Sequence, residues 1–153
     1  MDIRVCSRRA AMAFKCEVPW AAISITSNPQ AWPELSRENR IGLYQAYFLD
    51  ATVPGEDSMT EVQAEEILEF VTWVWDKIEC LMVHCDAGLS RSPAVAAGLA
   101  KIFIGEGADM PYFEKYWPNY LVYKLILEAH FGPMVSLCPQ RDEPIYEGPW
   151  DCC

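Results

Sequence analysis

One stretch of the sequence is equipped for covalent chemistry: Val83-His84-Cys85-Asp86-Ala87-Gly88-Leu89-Ser90-Arg91-Ser92-Pro93. Cys85 is a nucleophile, and five residues separate it from Arg91, whose guanidinium can fork two N–H groups onto an oxyanion. Gly88 allows a tight turn and a close approach of backbone. Before the stretch, Leu81-Met82-Val83 reads as a short buried strand. After it, Pro93 opens the run Ala94-Val95-Ala96-Ala97-Gly98-Leu99-Ala100, which reads as a buried helix. Strand, tight loop and helix together aim backbone N–H groups at an anion. The helix N-terminus adds partial positive charge, and successive loop amides make a nest of the same sign. A thiolate is itself an anion, so a cysteine that opens such a loop is expected to ionise easily. A nucleophile under an anion cradle with an arginine clamp is apparatus for phosphoryl transfer through a phosphocysteine.

The pattern His-Cys-x5-Arg-Ser resembles the signature loop of the cysteine-dependent protein tyrosine phosphatases. Its Ala87-Gly88-x-Ser90-Arg91-Ser92 form is most similar to their small dual-specificity branch. A bare Cys-x5-Arg occurs often by chance. His84, Gly88, Ser92, the strand and the helix make this match specific. The resemblance implies hydrolysis of a phosphate monoester, with a phosphorylated protein or peptide as substrate and no metal or cofactor. It implies that Asp86, Ala87, Gly88, Leu89, Ser90 and Arg91 bind the phosphoryl group, with Asp86 and Ser90 offering backbone N–H groups and little else. It assigns His84 to supporting the loop by hydrogen bonding.

Ester cleavage needs an acid for the leaving oxygen and then a base for water. In the resembled family an upstream aspartate does both. Asp50 fits: it follows a strand and lies 35 residues before Cys85. Asp57, 28 residues before Cys85 and in the same loop as Gly55, is the runner-up. The Ser92 hydroxyl could donate to the Cys85 sulfur, cap the next helix, or do both. His130 falls in the last helix, as a core or surface residue.

Two other functions fit the same loop. One is a module that binds phosphoproteins without turnover. The other is a phosphatase of a non-protein phosphate: a phosphoinositide, a nucleotide or an RNA 5′ end. Relatives of the second kind often carry lysine in the loop, whereas this chain has Asp86 and Leu89. Rhodanese-like sulfur transfer also uses a loop cysteine, but Arg91-Ser92 and an upstream acid favour phosphate.

These residues need a scaffold, and 153 residues with 52% hydrophobic content can bury a sizeable core. One domain is expected over residues 1–153, with its core at about 18–131 and a Pro-containing tail at 134–153. The net charge of −10 repels nucleic acid and anionic lipid at long range, so neither is an expected partner. No apolar run is long enough to span a bilayer. The first residues lack a secretory apolar core, and seven cysteines show no disulfide-framework spacing. A cytoplasmic protein is expected, and the sequence carries no signal for an oligomeric state. Cys152-Cys153 reads as part of a frayed tail rather than a metal site.

The expected fold class is α/β: a central, mostly parallel sheet flanked by helices on both faces, phosphatase-like, with the catalytic loop between a strand and a helix. Ser7 caps a short helix at 8–13, and strands are expected at 18–26, 43–49 and 80–83. Thr60 and Gln63 form a capping box for a helix whose Ile67, Leu68, Val71, Val74, Trp75 and Ile78 recur at helical spacing. Its Glu61, Glu65, Glu66 and Glu69 make a solvated face. The helix after Pro93 is expected to stop near Gly105–Gly107, and Asn119 to cap a last helix ending at Gly132-Pro133. Cys80 and Cys85 lie too far apart on one strand for a disulfide.

Overall fold

A strand buried on both faces must be apolar at nearly every position, and Cys80-Leu81-Met82-Val83-His84-Cys85 meets that demand. It forms strand β4 (Cys80–Cys85), buried throughout, at the centre of the computed structural model, which describes residues 1–133. The sheet is four-stranded and all parallel, in the order β1-β4-β2-β3, with β1 at Asp2–Ser7, β2 at Trp20–Thr26 and β3 at Arg40–Tyr47. Leu81 pairs with Ile3 on one side and with Ala21 on the other. Parallel neighbours need crossovers. These are the short helix α1 (Arg8–Met12), the 27–39 loop and helix α2 (Glu61–Val74). The expectations for tail residues, including Cys152-Cys153, lie outside the described residues.

Alternation along the strands divides the core in two. Ile23, Ile25, Leu81, Val83 and Cys85 face α2, helix α3 (Arg91–Phe103) and helix α5 (Tyr120–Phe131). Trp20, Ala22, Cys80 and Met82 face Ala11 of α1 and Leu35 of the 27–39 loop. Helices therefore cover both faces, as expected. Gly98 lets α3 approach α5 closely: a Cβ there would lie 2.6 Å from Cγ2 of Ile126. The Thr60–Gln63 capping box is formed at the start of α2. Among the described residues no helix is long and apolar enough to cross a membrane.

β2 starts two residues later than expected and β4 ends two residues later, at Cys85, and four other features depart from the sequence reading. β1 was not expected: its half-exposed edge alternates Ile3 and Val5 with Arg4 and Cys6, a pattern too short to stand out until it pairs with β4. β3 starts and ends earlier than expected, at Arg40 and Tyr47. Helix α4 (Met110–Lys115) is one short turn-rich segment held by its Tyr112 hydroxyl, which donates to the Ile3 carbonyl (3.1 Å). Finally, α3 begins at Arg91 rather than Pro93. Proline is tolerated in a first helical turn because the N–H it lacks would have no partner there.

Candidate active site

β4 carries two neighbouring side chains to opposite faces, because successive strand residues alternate. Cys85 shares the face of Leu81 and Val83, under α3, and is 2% exposed. His84 turns to the other face. Its Nε2 lies 2.6 Å from the Ser24 hydroxyl of β2, and its Nδ1 lies 3.3 Å from the Cys85 carbonyl. A carbonyl can only accept, so Nδ1 carries the proton and Nε2 accepts from Ser24. Burial lowers the His84 pKa, and the positive charges of Arg8 and Arg91 add to that against the pull of the Cys85 carbonyl and Asp86. A neutral imidazole pointing away from the sulfur ties the strand end to β2, which is a supporting role.

Two polar groups meet the sulfur. The Gly88 N–H donates to Cys85 Sγ at 3.2 Å, and Ser92 Oγ lies 3.2 Å from the same atom. Ser92 is fully buried in the first turn of α3, and the capping position belongs to Ser90. Of the two roles open to Ser92, the structure places its hydroxyl at the sulfur. Gly88 has φ of +70°, and a Cβ on it would stand 2.6 Å from the Ser7 nitrogen and 2.7 Å from the Cys6 carbonyl carbon. Glycine is thus required by handedness and by the backbone of β1. The Arg8 N–H adds a further anchor by donating to the Asp86 carbonyl (3.1 Å).

Ser90 caps α3 without a side-chain hydrogen bond, so the helix start keeps its orphan N–H groups. Among the described residues, the N–H groups of Ala87, Leu89 and Ser90 meet no acceptor. Such a loop, ending in an uncapped helix N-terminus, is a cradle for an anion.

Arg91 is 6% exposed, and its orientation is fixed from three directions. Nη1 donates to the Ser27 hydroxyl (2.8 Å) and the Phe48 carbonyl (2.9 Å), and Nη2 donates to Asp86 Oδ2 (2.8 Å). The Ser27 hydroxyl in turn donates to Asp86 Oδ2 (2.5 Å). Three of the five guanidinium N–H groups are committed, and Nε–H and one Nη2–H remain, the pair that forks onto two oxygens of an oxyanion. This corrects the expectation that Asp86 offers little beyond its N–H: its carboxylate orients Arg91. Burial works against that charge, but hydrogen bonds from Ser27 and Arg91 outweigh it and hold the Asp86 pKa below the ordinary carboxylate value.

No protein-family model matches the chain, and no curated protein matches it.

Asp50 is exposed and sits at the loop, where its Oδ1 accepts from the Ser90 hydroxyl (2.9 Å) and from Asn119 Nδ2 (2.7 Å). Oδ2 is left to face a ligand or carry a proton. Asp57 has other partners: its carbonyl accepts from the Leu49 N–H (2.8 Å), and Tyr47 Oη lies 3.5 Å from its Oδ1. Of the two acids, Asp50 is the one joined to the Cys85–Arg91 loop. Ser90 was expected to supply only its N–H, yet its hydroxyl makes that junction. His130 lies on α5, lining an open groove with Glu65, Leu68 and Trp73 of α2 that includes no residue of the loop.

Burial pushes the Cys80 thiol up to about 12, with Cys16 adding to the effect. Burial also raises the pKa of Cys6. Cys80 faces the opposite side of the sheet from Cys85, which adds a reason against a bond between them. Among the described residues no His, Cys, Asp or Glu cluster could hold a metal ion.

Proposed function

We propose that the protein hydrolyses phosphate monoesters through a phosphocysteine, with a phosphorylated protein or peptide as substrate and tyrosine or dual specificity. The Cys85 thiolate attacks phosphorus. The P–S bond forms as the P–O bond to the leaving group breaks, and Asp50 gives that oxygen a proton from Oδ2. Arg91 and the loop amides hold the phosphoryl oxygens, in the ground state and more strongly in the transition state. Water then attacks phosphorus, Asp50 takes its proton, and the P–S bond breaks. The Ser92 hydroxyl steadies the departing thiolate, and inorganic phosphate leaves.

The observation that carries this reading is the sulfur itself. It accepts from the Gly88 N–H at 3.2 Å and lies 3.2 Å from the Ser92 hydroxyl, beneath a loop whose arginine keeps a two-pronged edge free. A passive phosphate-binding module needs the cradle but has no use for a thiol so served. The acidic chain, at −10, and the free cysteines among the described residues fit a cytoplasmic enzyme acting on proteins rather than on nucleic acid or membrane.

The test uses purified protein with two aryl phosphates, one with an activated nitrophenyl leaving group and one with the poorer leaving group of phosphotyrosine. Wild type should turn over both, and chelator should leave the rates unchanged. Asp50→Asn should slow phosphotyrosine cleavage by roughly 10²–10⁴-fold and the activated ester less. Asp57→Asn should change little. Leaving-group dependence in Asp57→Asn alone would reverse the two assignments, and an inactive wild type would leave only a binding module.

A further inference from the structure

Asn119 is 3% exposed, and its side chain serves two elements at once. Nδ2 donates to Asp50 Oδ1 (2.7 Å) and to the Ala51 carbonyl (2.9 Å). Oδ1 accepts from the Val122 N–H (3.2 Å) and so caps α5. The Asn119 N–H donates to the Ser90 carbonyl (3.0 Å), while the Ser90 hydroxyl donates to Asp50. A ring of contacts thus runs from the last helix through Asp50 to the loop of Cys85. An N-cap alone would be served by serine or aspartate equally well. Only an amide caps the helix with its oxygen and also donates to a carboxylate with its nitrogen.

We propose that Asn119 is the positioning residue for the acid: by holding Oδ1 of Asp50 it fixes the carboxyl so that Oδ2 is the oxygen that delivers and later takes the proton. This rests on the proposed phosphatase reading. Asn119 touches no reacting atom. Asp50 sits in a stretch without regular structure, and two donors on one oxygen restrict rotation about its side chain. Positional errors of about 1 Å can cost on the order of 10²-fold.

Asn119→Asp tests this. The variant keeps the acceptor for the Val122 N–H, removes the donor to Asp50, and sets a second carboxylate against it. Its rate on phosphotyrosine should fall about tenfold or more beyond its loss on the nitrophenyl ester, since only the former leans on the acid. Oxyanion affinity, measured by vanadate inhibition, should stay near wild type. Asn119→Ser, another good helix cap that is too short to reach Asp50, should show the same split and covers the case in which the aspartate variant folds poorly. In an Asp50→Asn background neither change should add leaving-group dependence. Equal losses on both esters would show a merely structural role and overturn the proposal. If Asp50→Asn shows the dependence and the Asn119 variants do not, the positioning role alone is wrong. If Asp50→Asn itself lacks it, the acid assignment fails first and takes this inference with it.

Discussion

Arg91→Lys separates the role of a guanidinium plane from that of a positive charge. In the wild type, Ser27, the Phe48 carbonyl and Asp86 take three N–H groups at 2.8, 2.9 and 2.8 Å. Nε–H and one Nη2–H are left as a parallel pair. A lysine ammonium carries all its donors on one atom and cannot satisfy Asp86 while presenting such a pair. Losing one preorganised donor to a developing oxyanion costs roughly 10²–10³ in kcat, or about 2.7–4 kcal/mol. Two donors are lost here, and the retained charge recovers part of the deficit, so kcat should fall by roughly 10²–10³. The Phe48 carbonyl also loses its partner, and an unsatisfied buried acceptor costs about 1–3 kcal/mol. At about 2–4 °C per kcal/mol for a chain of this size, Tm should drop by roughly 2–12 °C. The assay is steady-state hydrolysis of an aryl phosphate below that Tm, with vanadate inhibition as the measure of oxyanion binding. A lysine variant within about tenfold of wild-type kcat, a difference near 1.4 kcal/mol, would refute the forked contact.

Gly88→Ala should lose both activity and stability. The new methyl group meets the backbone of Ser7 and Cys6 at 2.6–2.8 Å in a left-handed turn, so the loop must move off β1. Unchanged turnover and melting temperature would contradict that packing. Asp86→Asn reports on the latch that orients Arg91. The folded-state pKa of Asp86 is depressed, so its stabilisation is complete above the unfolded value, near 3.9, and is lost as pH falls through the folded value. The Tm gap between wild type and Asp86→Asn should therefore be present at neutral pH and close in strong acid. A gap of constant size across that range would show that the carboxylate charge is not what holds Arg91.

The parts legible in the sequence were those with a long or crowded local signal. β2 and β4 are short apolar runs, and α2 and α5 show apolar residues at helical spacing with side-chain caps at Thr60 and Asn119. β1 was hidden because an edge strand carries only half a pattern, and α4 because six residues give no period. In the loop, the spacing of Cys85, Gly88, Arg91 and Ser92 carried its own message. The contacts that orient those residues come from far along the chain. Ser27 lies 59 residues from Asp86 and 64 from Arg91, and Asn119 lies 69 from Asp50. Nothing local to Ser27 or Asn119 marks them as neighbours of the Cys85–Arg91 loop. The cap reading of Asn119 was right about its oxygen but had no access to its nitrogen.

The central claim is that Cys85 becomes covalently phosphorylated during turnover. Acid-quenching the enzyme during the hydrolysis of an aryl phosphate, followed by peptide mass spectrometry under acidic conditions, tests it directly. The account predicts that the peptide containing Cys85 gains one phosphoryl group. The adduct should build up in Asp50→Asn with the activated ester if loss of the base slows its hydrolysis. Cys85→Ser should show no turnover while still binding vanadate or phosphate. Turnover by Cys85→Ser at a rate near wild type, or a phosphoryl group carried by another residue during turnover, would contradict the account.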